Sequence, residues 1–168
     1  MSIKLIPAYD HHQEIRNLFS EYTQMLVEGD PSFQEYLKIQ HYDAELNCPE
    51  SKYAPPYGRL YIALWNSIPA GCVALRRMDS ENCEMKRLFV RSEHRGKGIG
   101  GRLVQQIIDD ARAIGYKRML LDTLPFLERA ISMYRNLGFR EIPIYNDSPM
   151  SSVIYMQLDL DTASGTDK

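Results

Sequence analysis

The stretch Arg95 to Gly101, RGKGIGG, lies between a polar segment that is predicted to be a strand and an amphipathic segment that is predicted to be a helix. The first N–H groups of a helix are free and its dipole is positive there, so an anion is favoured. Glycines let the backbone approach a phosphate closely, while Arg95, Lys97 and Arg102 add positive charge that suits a diphosphate. The stretch therefore predicts a diphosphate-binding loop; a flexible glycine turn with solvated basic side chains is the plainer alternative.

A dinucleotide-binding loop is a second interpretation of the same residues. Gly96, Gly98 and Gly101 satisfy the GxGxxG spacing, and Asp122 follows about 20 residues later at the end of a predicted strand. That fingerprint normally follows an apolar strand directly, whereas polar residues 91–95 intervene here. The chain after Asp122 is short for the second half of such a fold, and no Gly-Lys-Ser or Gly-Lys-Thr sequence follows to make a P-loop. NAD(P) binding is therefore the weaker interpretation.

The segments around the loop predict a mixed sheet. Three segments of β type lie upstream and are separated by turns too short for anything but antiparallel pairing: 59–65, 68–78 and 83–90. Downstream, apolar residues recur at helical spacing up to Gly115, and a short apolar strand follows at 119–123. A strand, helix and strand in this order normally form a parallel right-handed crossover.

The outer parts of the chain add helices on both faces of that sheet. Before it we predict a strand at 3–6, a helix with a capping-box-like start from Asp10 toward Gly29, a helix from Asp30 toward Leu46, and a loop at 48–58. After it we predict a helix closed by Gly138 and two strands near 139–142 and 153–158. The fold class is therefore α/β (α+β), a single domain over residues 1–160 with an antiparallel N-terminal half and a parallel middle, and residues 161–168 are predicted to be a disordered tail.

The composition fits one ordinary globular domain. The chain has 168 residues, 44% of them hydrophobic, and its formal net charge of −2 comes from interspersed acidic and basic residues, which predicts no nucleic acid or membrane as partner. The three cysteines have no metal-ligand spacing, so we expect reduced thiols and no metal site. The N-terminus reaches charged residues too soon for a signal peptide, and no apolar run approaches the ~18 residues of a membrane span. We therefore expect a cytoplasmic protein.

Two motifs resemble those of the GNAT superfamily of N-acetyltransferases. Residues 90–100, VRSEHRGKGIG, resemble its coenzyme A signature, whose core (Arg/Gln)-x-x-Gly-x-(Gly/Ala) is matched by Arg95, Gly98 and Gly100. Residues 130–139, AISMYRNLGF, resemble its later A-x-x-x-Y-x-x-x-G-F segment. The resemblance in element order covers nearly the whole chain, although the first two helices and their loops match no motif. Two motifs in the right order make the resemblance specific.

The resemblance implies an N-acetyltransferase that moves an acetyl group from acetyl-coenzyme A (acetyl-CoA) to a primary amine of a small molecule, amino acid or peptide, by direct transfer in a ternary complex. It implies that the pantetheine arm follows the strand before the loop, so the coenzyme-binding residues would be Leu88, Phe89, Val90, Arg95, Gly96, Lys97, Gly98, Ile99, Gly100 and Gly101. A non-catalytic acyl-CoA-binding regulatory domain is the alternative function. The sequence leaves the acceptor amine and the oligomeric state open, and a homodimer is compatible with it.

The resemblance also implies two catalytic residues. Tyr134 matches the tyrosine that protonates the coenzyme A thiolate in many family members, although a packed tyrosine would explain the same position because Ala130 and Leu137 share its helical face. Glu84 lies eleven residues before Arg95, the spacing of the catalytic base in members that acetylate histone lysine. An ion-paired strand residue is the alternative for Glu84.

The strand that carries Glu84 has one further feature. Residues 83–90 alternate irregularly between apolar and charged side chains, so neither face has a clean apolar set. This pattern predicts a β-bulge.

Overall fold

The computed structural model describes residues 2–160, so the predicted tail, Asp161 to Lys168, lies outside the described residues. Seven strands, β1 to β7, span Ile3–Pro7, Arg59–Trp65, Ile68–Arg77, Asn82–Val90, Arg118–Thr123, Arg140–Ile142 and Ile154–Asp159. Six helices, α1 to α6, span His12–Gly29, Phe33–Ile39, Tyr42–Asn47, Glu50–Tyr53, Ile99–Ile114 and Glu128–Asn136. A short 3₁₀ turn at Ser92–His94 joins β4 to the glycine-rich loop.

The strands form one sheet in the order β1-β2-β3-β4-β5-β7-β6. β4 and β5 are parallel, as the α5 crossover requires, and the other neighbours are antiparallel. Asn66 and Ser67 both have positive φ, which is the backbone that a tight two-residue hairpin between β2 and β3 needs. The predicted mixed α/β fold is confirmed, and its parallel part is the β4–β5 pair.

Helices cover both faces of the sheet and bury one apolar cluster on each. The α5 stripe, including Leu103, Ile107 and Ala111, packs with β-strand residues on one face. On the other face α1 buries Ile15 and Phe19 against residues of α2, α4 and the central strands. This arrangement agrees with the prediction from helical periodicity. The three cysteines are free thiols.

The segment from Asp30 to Gly58 differs from its prediction. The single helix expected between Asp30 and Leu46 is two helices, α2 and α3, because His41 adopts a left-handed backbone with φ 57°. The expected loop at 48–58 contains the short helix α4, from which Lys52 Nζ donates 2.7 Å to the Gln40 carbonyl near the end of α2. This contact joins α4 to the end of α2, and the apolar periodicity of the sequence carries no information about it.

The start of α1 also differs from its prediction. The helix begins at His12 and its N-cap residue, His11, makes no side-chain capping bond. Gln13, the expected capping-box partner, donates instead to Asn17 at 3.0 Å. The predicted helix is present, and the predicted capping box is wrong.

The central strands separate where β4 bulges. Cys72 of β3 pairs with Phe89 and Ala74 pairs with Lys86, so β4 holds one extra residue there, and Arg87 adopts φ 60°. The predicted bulge is therefore confirmed. β4 pairs with β5 only from Asn82 to Glu84, so the carboxyl-terminal halves of the two strands diverge. The divergence opens the sheet beside the glycine-rich loop.

Candidate active site

A cleft of about 530 Å³ occupies the opening between β4 and β5. Its walls come from the end of β4, the start of α5, the end of β5, α6 and two residues of α1. Of the residues predicted to bind coenzyme, all but Lys97 and Gly101 line it. Lys97 Nζ instead lies 5.0 Å from the centre of the Trp65 ring and donates to the Glu93 carbonyl at 3.2 Å.

The glycine-rich loop presents backbone to this cleft. Gly96 and Gly98 have φ of 81° and 82°, a backbone that side chains other than glycine rarely adopt, and a Cβ at either would meet no protein atom within 4 Å. Gly98 is the N-cap of α5 and no side chain caps that helix, which leaves first-turn N–H groups for an anion. Arg95 borders the same cleft. These features fit the diphosphate of coenzyme A.

Tyr134 of α6 lines the cleft, and its ring and its hydroxyl have different surroundings. Its ring packs 5.5 Å from the Phe139 ring, while its hydroxyl makes no hydrogen bond within residues 2–160. Burial, together with the nearby Tyr22 and Asp122, raises the pKa of the phenol above its usual value, so it stays protonated at neutral pH. A proton donor without a partner therefore faces the cleft.

A second, smaller cavity of about 30 Å³ adjoins the cleft. The two share part of their walls: Tyr22, Leu88, Asp122, Thr123, Leu127 and Tyr134. Four polar side chains line the small cavity but not the cleft. They come from α2 and the residue that follows it, and from the β4 bulge: Tyr36, Gln40, Lys86 and Arg87. Tyr134 and Asp122 therefore lie at the junction between an open cleft and a small polar cavity.

Asp122 is the carboxylate at that junction. Tyr36 donates its hydroxyl to Asp122 Oδ2, Asn146 Nδ2 donates to the same oxygen at 3.2 Å, and Lys86 Nζ lies 3.9 Å from Oδ1. The sequence analysis considered Asp122 only as part of a dinucleotide fingerprint. Its signal was the single carboxylate in the apolar strand MLLDT, at the end of β5 where the sheet opens.

Glu84 lies on β4 but lines neither cavity. Its carboxylate is buried and accepts hydrogen bonds of 2.6 Å from Arg76 Nε and of 2.6 Å from the Tyr145 hydroxyl. Burial works to raise the pKa of this carboxyl, but Lys86, Arg76 and the two hydrogen bonds outweigh it and hold the pKa below its usual value. The ion-paired alternative describes this geometry, and a role as base stays a prediction.

The sequence model of the acetyltransferase (GNAT) family matches residues 13–139. The chain belongs to this family. An uncharacterised N-acetyltransferase of Schizosaccharomyces pombe is 35% identical to it over 162 residues, which are 95% of each chain. The predicted membership of the GNAT superfamily is confirmed, and so is the prediction of an acyltransferase.

Solved acetyltransferase structures share this fold. An acetyltransferase from Streptococcus agalactiae superposes with a TM-score of 0.74 at 22% identity, over 94% of this chain and 98% of the other, which supports the fold. A GNAT family acetyltransferase from Elizabethkingia anophelis, solved with acetyl-CoA bound, has a TM-score of 0.53 at 26% identity, over 62% of this chain and 77% of the other.

In this GNAT protein an ion pair anchors the small helices to the β4 bulge. Arg87 donates from Nε and Nη2 to the two carboxylate oxygens of Glu45, at 2.8 and 2.9 Å, and from Nη2 to Gln40 Oε1 at 2.8 Å. Lys52 Nζ also donates to Glu45, at 2.8 Å. Burial opposes ionisation of Glu45, but these two cations lower its pKa to about 2. Sequence reasoning missed this pair because its members are distant in the chain.

Within residues 2–160 of this GNAT protein, no helix is both long and apolar enough to cross a membrane. No three His, Cys, Asp or Glu side chains in that part of the chain are grouped so that they could share a metal ion. His94 borders the cleft, and its Nδ1 is buried without a hydrogen-bond partner among the same residues.

Proposed function

We propose that this protein is an acetyl-CoA-dependent N-acetyltransferase that passes the acetyl group directly to a primary amine while both substrates are bound. The observation that carries the proposal is the junction itself. A free, protonated phenol and a carboxylate lie on the wall that the coenzyme-sized cleft shares with the small polar cavity. Acetyl transfer to an amine needs one group that takes a proton from nitrogen and one that gives a proton to sulfur.

The cleft provides for the donor substrate. The Gly96–Gly98 backbone and the uncapped start of α5 would hold the diphosphate, and Arg95 adds positive charge beside it. Residues 88–90 follow the bulge, where β4 has left its neighbour β5, so β4 backbone groups there have no partner on β5. Such groups would hold the pantetheine arm and the thioester oxygen as negative charge develops on it.

The proton transfers follow from the two junction residues. Asp122 takes a proton from the ammonium, and the neutral amine attacks the thioester carbon to form the C–N bond. The tetrahedral intermediate then collapses: the C–S bond breaks and Tyr134 gives its proton to the departing thiolate, while the second proton lost by nitrogen restores the Tyr134 phenol and Asp122 releases its proton to solvent. The net products are the amide, free coenzyme A and one proton. Glu84 is the second candidate base, on the strand position that the resemblance implies.

The test is turnover with acetyl-CoA and a panel of amino acids, polyamines, aminoglycosides and peptides, measured by thiol release and by mass spectrometry of the product. We expect thiol release to match formation of an N-acetyl product. Tyr134→Phe should lower kcat by about 100-fold or more, because it removes the general acid, and leave the coenzyme Kd within about twofold.

Tyr116→Phe is the matched control, since its buried hydroxyl donates to the Tyr57 carbonyl and lines neither cavity. Wild-type kcat in Tyr134→Phe would assign that tyrosine to packing alone. Coenzyme binding without turnover of any amine would favour the non-catalytic acyl-CoA-binding domain. The cytoplasmic location stays a prediction from the sequence, which leaves the oligomeric state open.

A further inference from the structure

The small cavity contains an ammonium group that lacks a hydrogen-bond acceptor. Lys86 has a side chain that is 8% exposed, and its nearest carboxylate oxygen, Asp122 Oδ1, lies 3.9 Å away, beyond hydrogen-bond distance. Nζ makes no hydrogen bond within residues 2–160. An ammonium on a largely buried side chain, with no protein acceptor in hydrogen-bond reach, is available to bind an anionic group that enters the cavity.

Arg87, the other cation at this cavity, does not share that property. Its guanidinium is occupied by Glu45 and Gln40 through three hydrogen bonds. Asp122 is likewise held, by Tyr36 and Asn146. Among the charged side chains that line the cavity, Lys86 is therefore the one that no protein group hydrogen-bonds within residues 2–160.

The charges around Lys86 favour an anion as the missing group. The side chains that form ion pairs or interact electrostatically here make up a charge cluster that is buried except for the partly exposed Lys52 and Arg76. Its cations outnumber its anions by one: Lys52, Arg76, Lys86 and Arg87 against Glu45, Glu84 and Asp122. An anionic ligand group would balance that excess. In a site from which water is largely excluded, such a charge has more effect than it has in bulk solvent.

The volume limits how large the anionic group is. A cavity needs a volume of about 10–15 Å³ to hold one water molecule. The cavity of about 30 Å³ therefore has room for roughly two atoms of the size of a water oxygen. Two oxygens on one carbon match that size, whereas an aromatic ring or a peptide segment does not. The shared wall at Asp122 and Tyr134 places this group beside the junction where the amine would react.

We propose that the acceptor is a small amine that carries a carboxylate, such as an amino acid, and that Lys86 binds the carboxylate while Asp122 receives the ammonium. This inference rests on the proposed N-acetyltransferase function and narrows its acceptor. Lys86 is then a residue that determines acceptor specificity. The amine and the carboxylate are recognised by opposite charges that lie on neighbouring strands, β5 and β4.

The experiment compares amines that differ only in the carboxylate. Amino acids, β-alanine and 4-aminobutyrate are each paired with their primary amides, and kcat/KM is measured for wild type, Lys86→Met and Lys86→Arg. For at least one pair we expect wild type to prefer the acid by about tenfold or more, the value of a hydrogen bond to a charged group. Lys86→Met should lose that preference, because KM for the acid rises while KM for the amide stays unchanged. Lys86→Arg should keep the preference for the acid.

The outcomes separate this inference from the proposed function. Equal rates on acids and amides in wild type would overturn the inference and leave the N-acetyltransferase intact. Turnover of neither, with coenzyme still bound, would remove the proposed function itself. A Lys86→Met enzyme that loses acids and amides equally would overturn the role of Lys86. If that variant does not bind coenzyme or does not fold, the preference of wild type between each acid and its amide still decides whether the acceptor carries a carboxylate.

Discussion

Two regions of the molecule meet at the active-site junction and are built in opposite ways. The loop side, residues 88–101, is one contiguous stretch that presents glycine backbone to a cleft. The charge cluster is assembled from distant positions: Arg87 and Glu45 are 42 residues apart in sequence. A diphosphate can be held by backbone groups of a short local motif, whereas a small ligand with two charges needs side chains fixed in three dimensions. We therefore expect coenzyme binding to be encoded in a short local sequence and acceptor specificity in residues that are distant along the chain.

The two regions should also respond differently to substitution. The loop side has open space around its glycines, so a new side chain there meets ligand rather than protein. In the charge cluster Glu45 and Arg87 are buried, so loss of one charge leaves its partner without compensation. Substitutions of the buried pair Glu45 and Arg87 should therefore act first on stability, and substitutions in the loop should act first on binding.

Glu45→Gln should have the largest effect. Removing this carboxylate leaves Arg87 buried without its ion pair, and breaking such a pair costs about 3–5 kcal/mol of unfolding free energy. Urea denaturation measures the loss. Glu35→Gln is the control, because its pair with Lys38 is exposed and 3.9 Å long, and such pairs contribute about 0–1 kcal/mol. Equal stabilities for the two variants would remove the distinction between the regions.

Glu45 also determines the direction in which stability changes with pH. The Glu45 pKa is lowered from 4.5 to about 2 in the folded protein, so the carboxylate stabilises the fold above pH 4.5 and progressively less as the pH falls toward 2. Wild type should therefore lose unfolding free energy more steeply than Glu45→Gln across that interval. Parallel curves for the two proteins would mean that Glu45 ionises alike in the folded and unfolded chain.

The contrast also explains what the sequence could predict. The sheet, α5, the bulge in β4 and the glycine-rich loop follow from local patterns, and all are present. The break at His41 between α2 and α3 and the position of Lys86 depend on long-range contacts that periodicity does not contain. Glu84 shows the same limit, since its spacing along β4 indicated a base but Arg76 and Tyr145 occupy its carboxylate.

Asp122→Asn and Glu84→Gln test whether the chemistry lies at the junction. We expect Asp122→Asn to lower kcat by about 100-fold, the lower end of general-base effects, with a smaller loss as rising pH makes the free amine neutral. Glu84→Gln should lower kcat less than about tenfold, because Arg76 and Tyr145 hold that carboxylate away from both cavities. The measurement is the pH profile of kcat for both variants. The reverse order would return the base to Glu84, as the strand spacing predicts.

Gly98→Leu separates an effect on coenzyme binding from an effect on stability. Gly98 and Gly115 both have positive φ, 82° and 109°, and a Cβ at either would meet no protein atom within 4 Å. A leucine at either should therefore cost a similar ~1–2 kcal/mol in backbone strain.

Only Gly98 lines the cleft, so we expect calorimetry to show coenzyme binding weakened by about tenfold or more in Gly98→Leu and unchanged in Gly115→Leu. Gly98 and Gly115 flank the two ends of α5, so destabilising the helix is common to both variants. If both variants bind coenzyme equally weakly, the cause is destabilisation of α5, and the loop is not the diphosphate site. If only Gly98→Leu weakens binding, the loop backbone itself contacts the coenzyme. Such a contact is what a binding motif of seven consecutive residues, Arg95 to Gly101, requires.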